Sequence, residues 1–127
     1  MQKIQIMENN KKVLIIGGTG DIGNAIANKF VNTTIHSVGS KDIDLSCNQN
    51  IRKFFIENEN IYNKLIFVSG INNPSLIKST KNIEFEETMK INCSSLHYIV
   101  SNNFKCLSYL KSIVVIGSLY ASFARAQ

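Results

Sequence analysis

An unbroken apolar run, Val13-Leu14-Ile15-Ile16 after Lys12, stops at Gly17-Gly18, and a helical pattern opens at Asp21. A short run without polar alternation suits a strand buried on both faces, as in a parallel sheet. The turn between strand and helix holds Gly18-x-Gly20-x-x-Gly23, overlapping Gly17-x-x-Gly20-x-x-Gly23. In a strand–turn–helix context that spacing is a dinucleotide fingerprint. A pyrophosphate has to come close to backbone N–H groups at a helix N-terminus, and side chains there would block it. Gly23 lets the helix lie against the strand. An ordinary glycine-rich turn is the alternative. The flanking strand and helix favour cofactor binding by Gly17, Gly18, Thr19, Gly20, Asp21, Ile22 and Gly23.

The rest of the chain repeats the alternation. The first helix should bury Ile22, Ile26, Phe30 and Val31 on one face. Residues 34–38 read as a second strand, and Ile43 and Leu45 allow a very short third. Ser46 can cap a helix running through Ile51, Phe54 and Phe55. Residues 65–68 form the fourth strand, followed by a loop with Pro74. A long helix is expected from about Phe85 to Asn103, with Met89, Asn92, Leu96, Ile99 and Val100 near one face. Residues 113–116 form the fifth strand. Strands alternating with helices predict a doubly wound, Rossmann-like parallel sheet with right-handed crossovers and order 3-2-1-4-5.

Composition narrows the function classes. At 127 residues the chain is long enough for one core, and 44% hydrophobic against 18% charged residues excludes disorder as the main state. The net charge is +5, but the lysines are scattered and only Arg52 and Arg125 are arginine. Nucleic-acid binding calls for a clustered basic stripe with aromatic platforms, and neither is present. No apolar run reaches the roughly 20 residues of a membrane span, and residues 1–10 hold no signal-peptide core. Cys47, Cys93 and Cys106 have no metal-ligand spacing. They read as reduced thiols of a cytoplasmic protein, Cys93 and Cys106 as packing residues. His36 and His97 are isolated and read as structural or surface residues, so no metal site is expected.

The second strand should end near the adenosine ribose of a bound dinucleotide. Its tip carries Ser40 and Lys41, a hydroxyl and a cation suited to a 2′-phosphate. That favours NADP, with NAD possible if Asp42 folds back to the ribose.

These landmarks together resemble the short-chain dehydrogenase/reductase family from about residue 11 to residue 122. Asp44-Leu45-Ser46 is similar to the family's acidic-apolar adenine contact. Val68-Ser69-Gly70-Ile71 is similar to its Asn-Asn-Ala-Gly element, with Val68 and Ser69 where Asn is expected. Asn92 stands where the family places a structural and catalytic Asn, and Ser118 where it places the catalytic Ser. The resemblance implies hydride transfer between a nicotinamide and a small-molecule carbonyl or alcohol. It implies a homo-oligomer, Ser69 and Gly70 beside the cofactor, and Ser118 orienting the substrate oxygen. The Gly17/Gly20/Gly23 spacing also resembles the extended branch, with its sugar-nucleotide epimerases and dehydratases. The compact spacing favours the classical branch.

The family's Tyr-x-x-x-Lys pair is not found in the 127 residues; Tyr120 is followed four residues later by Ala124. The expectation is therefore one NAD(P)-binding domain over 1–127, incomplete after its fifth strand and inactive alone. A non-catalytic nucleotide-binding or interaction module is the second reading.

Overall fold

The computed structural model describes residues 12–72 and 78–117. Four parallel strands form one sheet: β1 (Lys12–Ile16), β2 (Thr34–Val38), β3 (Lys64–Phe67) and β4 (Ser112–Val115). Their order is β2-β1-β3-β4, with Leu14 beside His36 and Leu65, and Phe67 beside Val115. β1 is central, as its unbroken apolar run requires. The last two strands each begin and end one residue earlier than the sequence suggests.

Two layers cover the sheet. On one face Leu14, Ile16, Val38, Leu65 and Phe67 pack with Ile51 and Phe55 of α2 (Asn48–Glu57) and Ile99 of α4 (Ser95–Ser101). Phe104, Cys106 and Leu107 close that core, with Phe104 stacked on Phe55 at a ring separation of 5.0 Å. Fully burying one such side chain is worth about 1.5–3 kcal/mol. On the other face Val13, Ile15 and Ile66 meet Ile26, Ala27 and Phe30, on and just beyond α1 (Asp21–Ala27).

The architecture is the expected parallel α/β sheet, with four strands instead of five. Among the described residues Ile43 and Leu45 form no strand, although both side chains are buried. A parallel neighbour needs a crossover of a dozen or more residues, and only four separate Val38 from Ile43. Asp42 instead folds the segment into a turn, its carboxylate accepting the Gly39 N–H at 2.8 Å.

Three helix expectations are also corrected. α1 ends at Ala27, so Val31 falls beyond it at an exposed turn where Asn32 has φ +53°, and Ile22 is exposed. Cys47, not Ser46, precedes α2; the Ser46 hydroxyl is drawn to Asp44. The long helix is three pieces: α3 (Asn82–Met89), a π-helical turn (Lys90–Ser94) and α4. Met89 and Val100 are exposed, Leu96 is half-buried and only Ile99 is fully buried. Cys93, expected to pack, is exposed in the π turn, while Cys106 is buried.

Candidate functional site: the glycine turn and the strand ends

Gly17 has φ +89°, a conformation that side chains disfavour. Its N–H and that of Gly18 donate to Val38 O at 2.9 and 3.1 Å, tying the turn to the end of β2. A Cβ on Gly17 would stand 2.7 Å from Ser69 N, and one on Gly18 2.7 Å from Ser37 Cβ. A Cβ on Gly23 would collide with Gly17 O. Packing alone therefore accounts for these three glycines, whatever else they contact.

Gly20 is different. Its backbone is extended, with φ −82° and ψ 173°, which any residue adopts. A Cβ there would find only Gly17 O, at 3.6 Å. The space in front of it is open. Thr19, Asp21 and Ile22 beside it are exposed. The first helical bond of α1 is Asn24 N–H to Gly20 O at 2.8 Å, so the Asp21 and Ile22 N–H groups precede it. No side chain caps them. Exposed N–H groups around a cradle that a Cβ would fill suit the pyrophosphate of a dinucleotide.

At the tip of β2, Ser40 and Lys41 are exposed at the apex of the turn closed by Asp42. Asp42 is thus held against the Gly39 N–H. Asp44 accepts the Ser46 hydroxyl at 2.6 Å and the Ser46 N–H at 2.9 Å. Those two bonds hold its carboxyl below the usual carboxylate range. Leu45 sends its side chain into the core, leaving only its backbone at the surface of the site.

Ser69 and Gly70 follow β3, whose line is extended by the Val68 N–H bonding Ile16 O at 2.8 Å. Asn92 reaches this loop from the π turn. Its Oδ1 accepts the Ile71 N–H at 2.7 Å and its Nδ2 donates to Ile71 O at 2.8 Å. Both ends of the amide are occupied, so the side chain staples the loop beside Gly70. Ser118, Tyr120 and Pro74 lie outside the described residues. The glycine turn, the β2 tip and the loop after β3 therefore meet at the C-terminal end of the sheet, where open α/β sheets bind ligands.

Two features escaped sequence reasoning. A groove of about 480 Å³ runs beside β2 and α2, lined by Ser40, Lys41, Lys53 and His36 among others. The four-residue gap after Val38 was the available signal, because it leaves that edge of β2 without a strand. His36, half-buried, is in contact through Nδ1 with the hydroxyl of the buried Tyr62, to which Asn58 Nδ2 donates at 2.6 Å. Nothing in the spacing of the isolated His36 announced that contact. Among the described residues no group of three or more His, Cys, Asp or Glu could hold a metal ion, and no helix is long and apolar enough to cross a membrane.

No protein-family model and no curated protein matches the sequence. Solved structures match it well. A small-chain dehydrogenase superposes with a TM-score of 0.77 at 17% identity, over 92% of this chain and 64% of its own. A short-chain dehydrogenase from Leptospira borgpetersenii with bound NAD+ gives 0.70 at 22% identity, over 92% and 55%. The RhlG/NADP active-site complex of Pseudomonas aeruginosa gives 0.74 at 16% identity, over 92% and 58%. The chain spans about half to two-thirds of the length of these proteins, and its fold is that of the corresponding part of the short-chain dehydrogenases.

Proposed function

We propose that the chain is the nucleotide-binding part of an NAD(P)-dependent oxidoreductase of the short-chain type, with NADP preferred. The observation that carries this reading is the open cradle at Gly20. Three glycines around it are fixed by packing and the fourth faces free space. Similar folds that hold NAD+ or NADP support it.

The Thr19, Asp21 and Ile22 backbone would hold the pyrophosphate. Asp44 and the Leu45 backbone would meet the adenine, Ser69 and Gly70 would line the cofactor's path, and Ser40 and Lys41 would meet a 2′-phosphate. When bound, the nicotinamide supplies or accepts the hydride exchanged with a carbonyl or alcohol. Asn92 keeps the loop after β3 in place, and Ser118 would orient the substrate oxygen. No Tyr-x-x-x-Lys pair is present in these 127 residues, so the pair that transfers the proton in this type of enzyme is missing from them. The residues by themselves should therefore bind cofactor without turnover. A cytoplasmic homo-oligomer remains part of the reading.

Calorimetric titration with NADP+ and NAD+ tests it. The chain should bind both, NADP+ more tightly, and Lys41→Glu should remove the difference. Absence of binding to either would overturn the reading; equal affinities in the unaltered protein would overturn the NADP preference.

A further inference from the structure

We propose that the N-terminal end of the sheet, opposite the Gly20 cradle, is a docking surface for a single-stranded nucleic acid, built from Lys12, Asn63, Lys64, Lys105, Tyr109 and Lys111. These residues come from three separate stretches of sequence, and the strand register gathers them. The Asn63 N–H donates to Lys12 O at 3.0 Å and the Lys111 N–H to Asn63 O at 2.8 Å, which extends the β1–β3 and β3–β4 pairings by one residue. Lys12, Asn63 and Lys111 therefore stand level on three neighbouring strands, on the sheet face that carries Leu14 and Leu65. Lys64 follows Asn63 and turns to the other face, with Ile66. The Tyr62 N–H donates to Cys106 O at 2.9 Å, so Lys105 is held at the same end.

The charge and the chemistry of this end both point to a polynucleotide. Among the described residues no ion pair holds any of the four lysines; Lys12 donates to the neutral Asn60 amide at 2.6 Å. Lys105 and Lys111 are exposed, Lys12 and Lys64 half-buried. Two carboxylates stand at the same end, Glu57 closing α2 and Glu59 beside Asn60, so the four cations leave it basic. Lys12 and Lys111 are two strands apart, about 10 Å at the usual strand spacing. Charges spread that far suit a chain of phosphates, which reaches several lysines at once, better than a single phosphate. Tyr109 lies between Lys105 and Lys111 and is 56% exposed, in a segment that the two bonds to Tyr62 and Asn63 pin to the start of β3. Its ring stacks on no other among the described residues. A flat ring flanked by cations gives a base a surface to stack on, which an acidic polypeptide does not need. Asn63 adds an amide able to bond a base edge or a phosphate.

The test is fluorescence anisotropy of labelled oligo(U) and oligo(dT), each of about twelve nucleotides, titrated with the full chain over a range of salt. Both should bind at low salt, because stacking and phosphate contacts do not require the 2′-hydroxyl. With four lysines in contact, log affinity should fall against log salt with a slope of about −3. The double variant Lys105→Gln, Lys111→Gln should about halve that slope. Tyr109→Ala should weaken binding about tenfold and leave the slope alone. All three residues are exposed, so these variants should fold, as circular dichroism would check. Saturating NADP+ should not displace the strand, since the two sites lie at opposite ends of the sheet. Failure of both oligonucleotides to bind at low salt, or an unchanged slope in the double variant, would overturn the proposal. Displacement by NADP+ would put the strand in the cofactor cradle, and the docking surface would be wrong while the dinucleotide reading stands. If poly-glutamate competes as well as unlabelled oligo(U), and Tyr109→Ala changes nothing, the surface takes an acidic protein chain and the nucleic-acid reading is wrong.

Discussion

At the scale of single residues, the glycines of one motif divide by what a Cβ would strike. Gly23 faces the Gly17 carbonyl, so Gly23→Val should cost more than the 1–3 kcal/mol typical of overpacking and lower the urea midpoint sharply. Gly20→Val should keep the midpoint and lose dinucleotide binding, because its branched side chain enters the open cradle. A Gly20→Val protein that binds normally would place the cofactor elsewhere. The cysteines separate in the same way. The N–H groups of Asn50 and then Gln49 face the Cys47 sulfur at the start of α2, and hold its thiol below the ordinary value without capping the helix. Burial pushes the Cys106 thiol up. Iodoacetamide near pH 8 should therefore label Cys47 well before Cys106, as peptide mapping would read. Burial also raises Tyr62, against the opposing hydrogen bonds of Asn58 and Asn60. Both raised groups are neutral in the fold and ionise first in the unfolded chain. Their stabilising effect is whole at neutral pH and is lost as pH rises, from about 8.5 for Cys106 and about 10 for Tyr62. Denaturant midpoints measured from pH 7 to 11 should fall in that order, and Cys106→Ala should remove the first step.

At the scale of elements, β1, β2 and the turn between β1 and α1 were legible because each follows from local chemistry. An unbroken apolar run, a strand-length β-branched segment and closely spaced glycines say the same thing in any context. The third strand misled because Ile43 and Leu45 do alternate and do enter the core. Alternation reports burial, and burial was achieved by a turn built on Asp42 and Gly39. The loop length, not the pattern, decided the matter. The break in the long helix was hidden for a different reason. A π turn inserts one residue without disturbing composition, and the bonds that Asn92 makes from it reach a residue distant in sequence, Ile71. The site was legible where one segment builds it, at the glycine turn. It was illegible where segments far apart in sequence meet, as Asn92 and Ile71 do beside Gly70.

At the scale of the whole molecule, β4 is paired on one side only among the described residues. Ile113 and Val115 on one face, and Val114 and Ile116 on the other, are between 39% and 52% exposed. An apolar strand with a free edge pairs readily with another chain. The 127-residue chain should therefore self-associate, and Val115→Lys should shift it toward monomer in light scattering; a monomer without that substitution would contradict this. The sheet order has a consequence for how the molecule is made. β1 sits between partners about twenty and about fifty residues further along the chain, and β4 joins β3 across a similar distance. No pair of neighbouring strands can zip locally, so each pairing waits on a wide loop closure, and assembly of such a sheet is slow. The Gly17 turn needs Val38 from β2 and abuts Ser69 after β3, so it is shaped only when β1 has acquired both neighbours. The cradle at Gly20 therefore depends on both of those pairings, and a dinucleotide bound there would select chains in which β1, β2 and β3 are already joined.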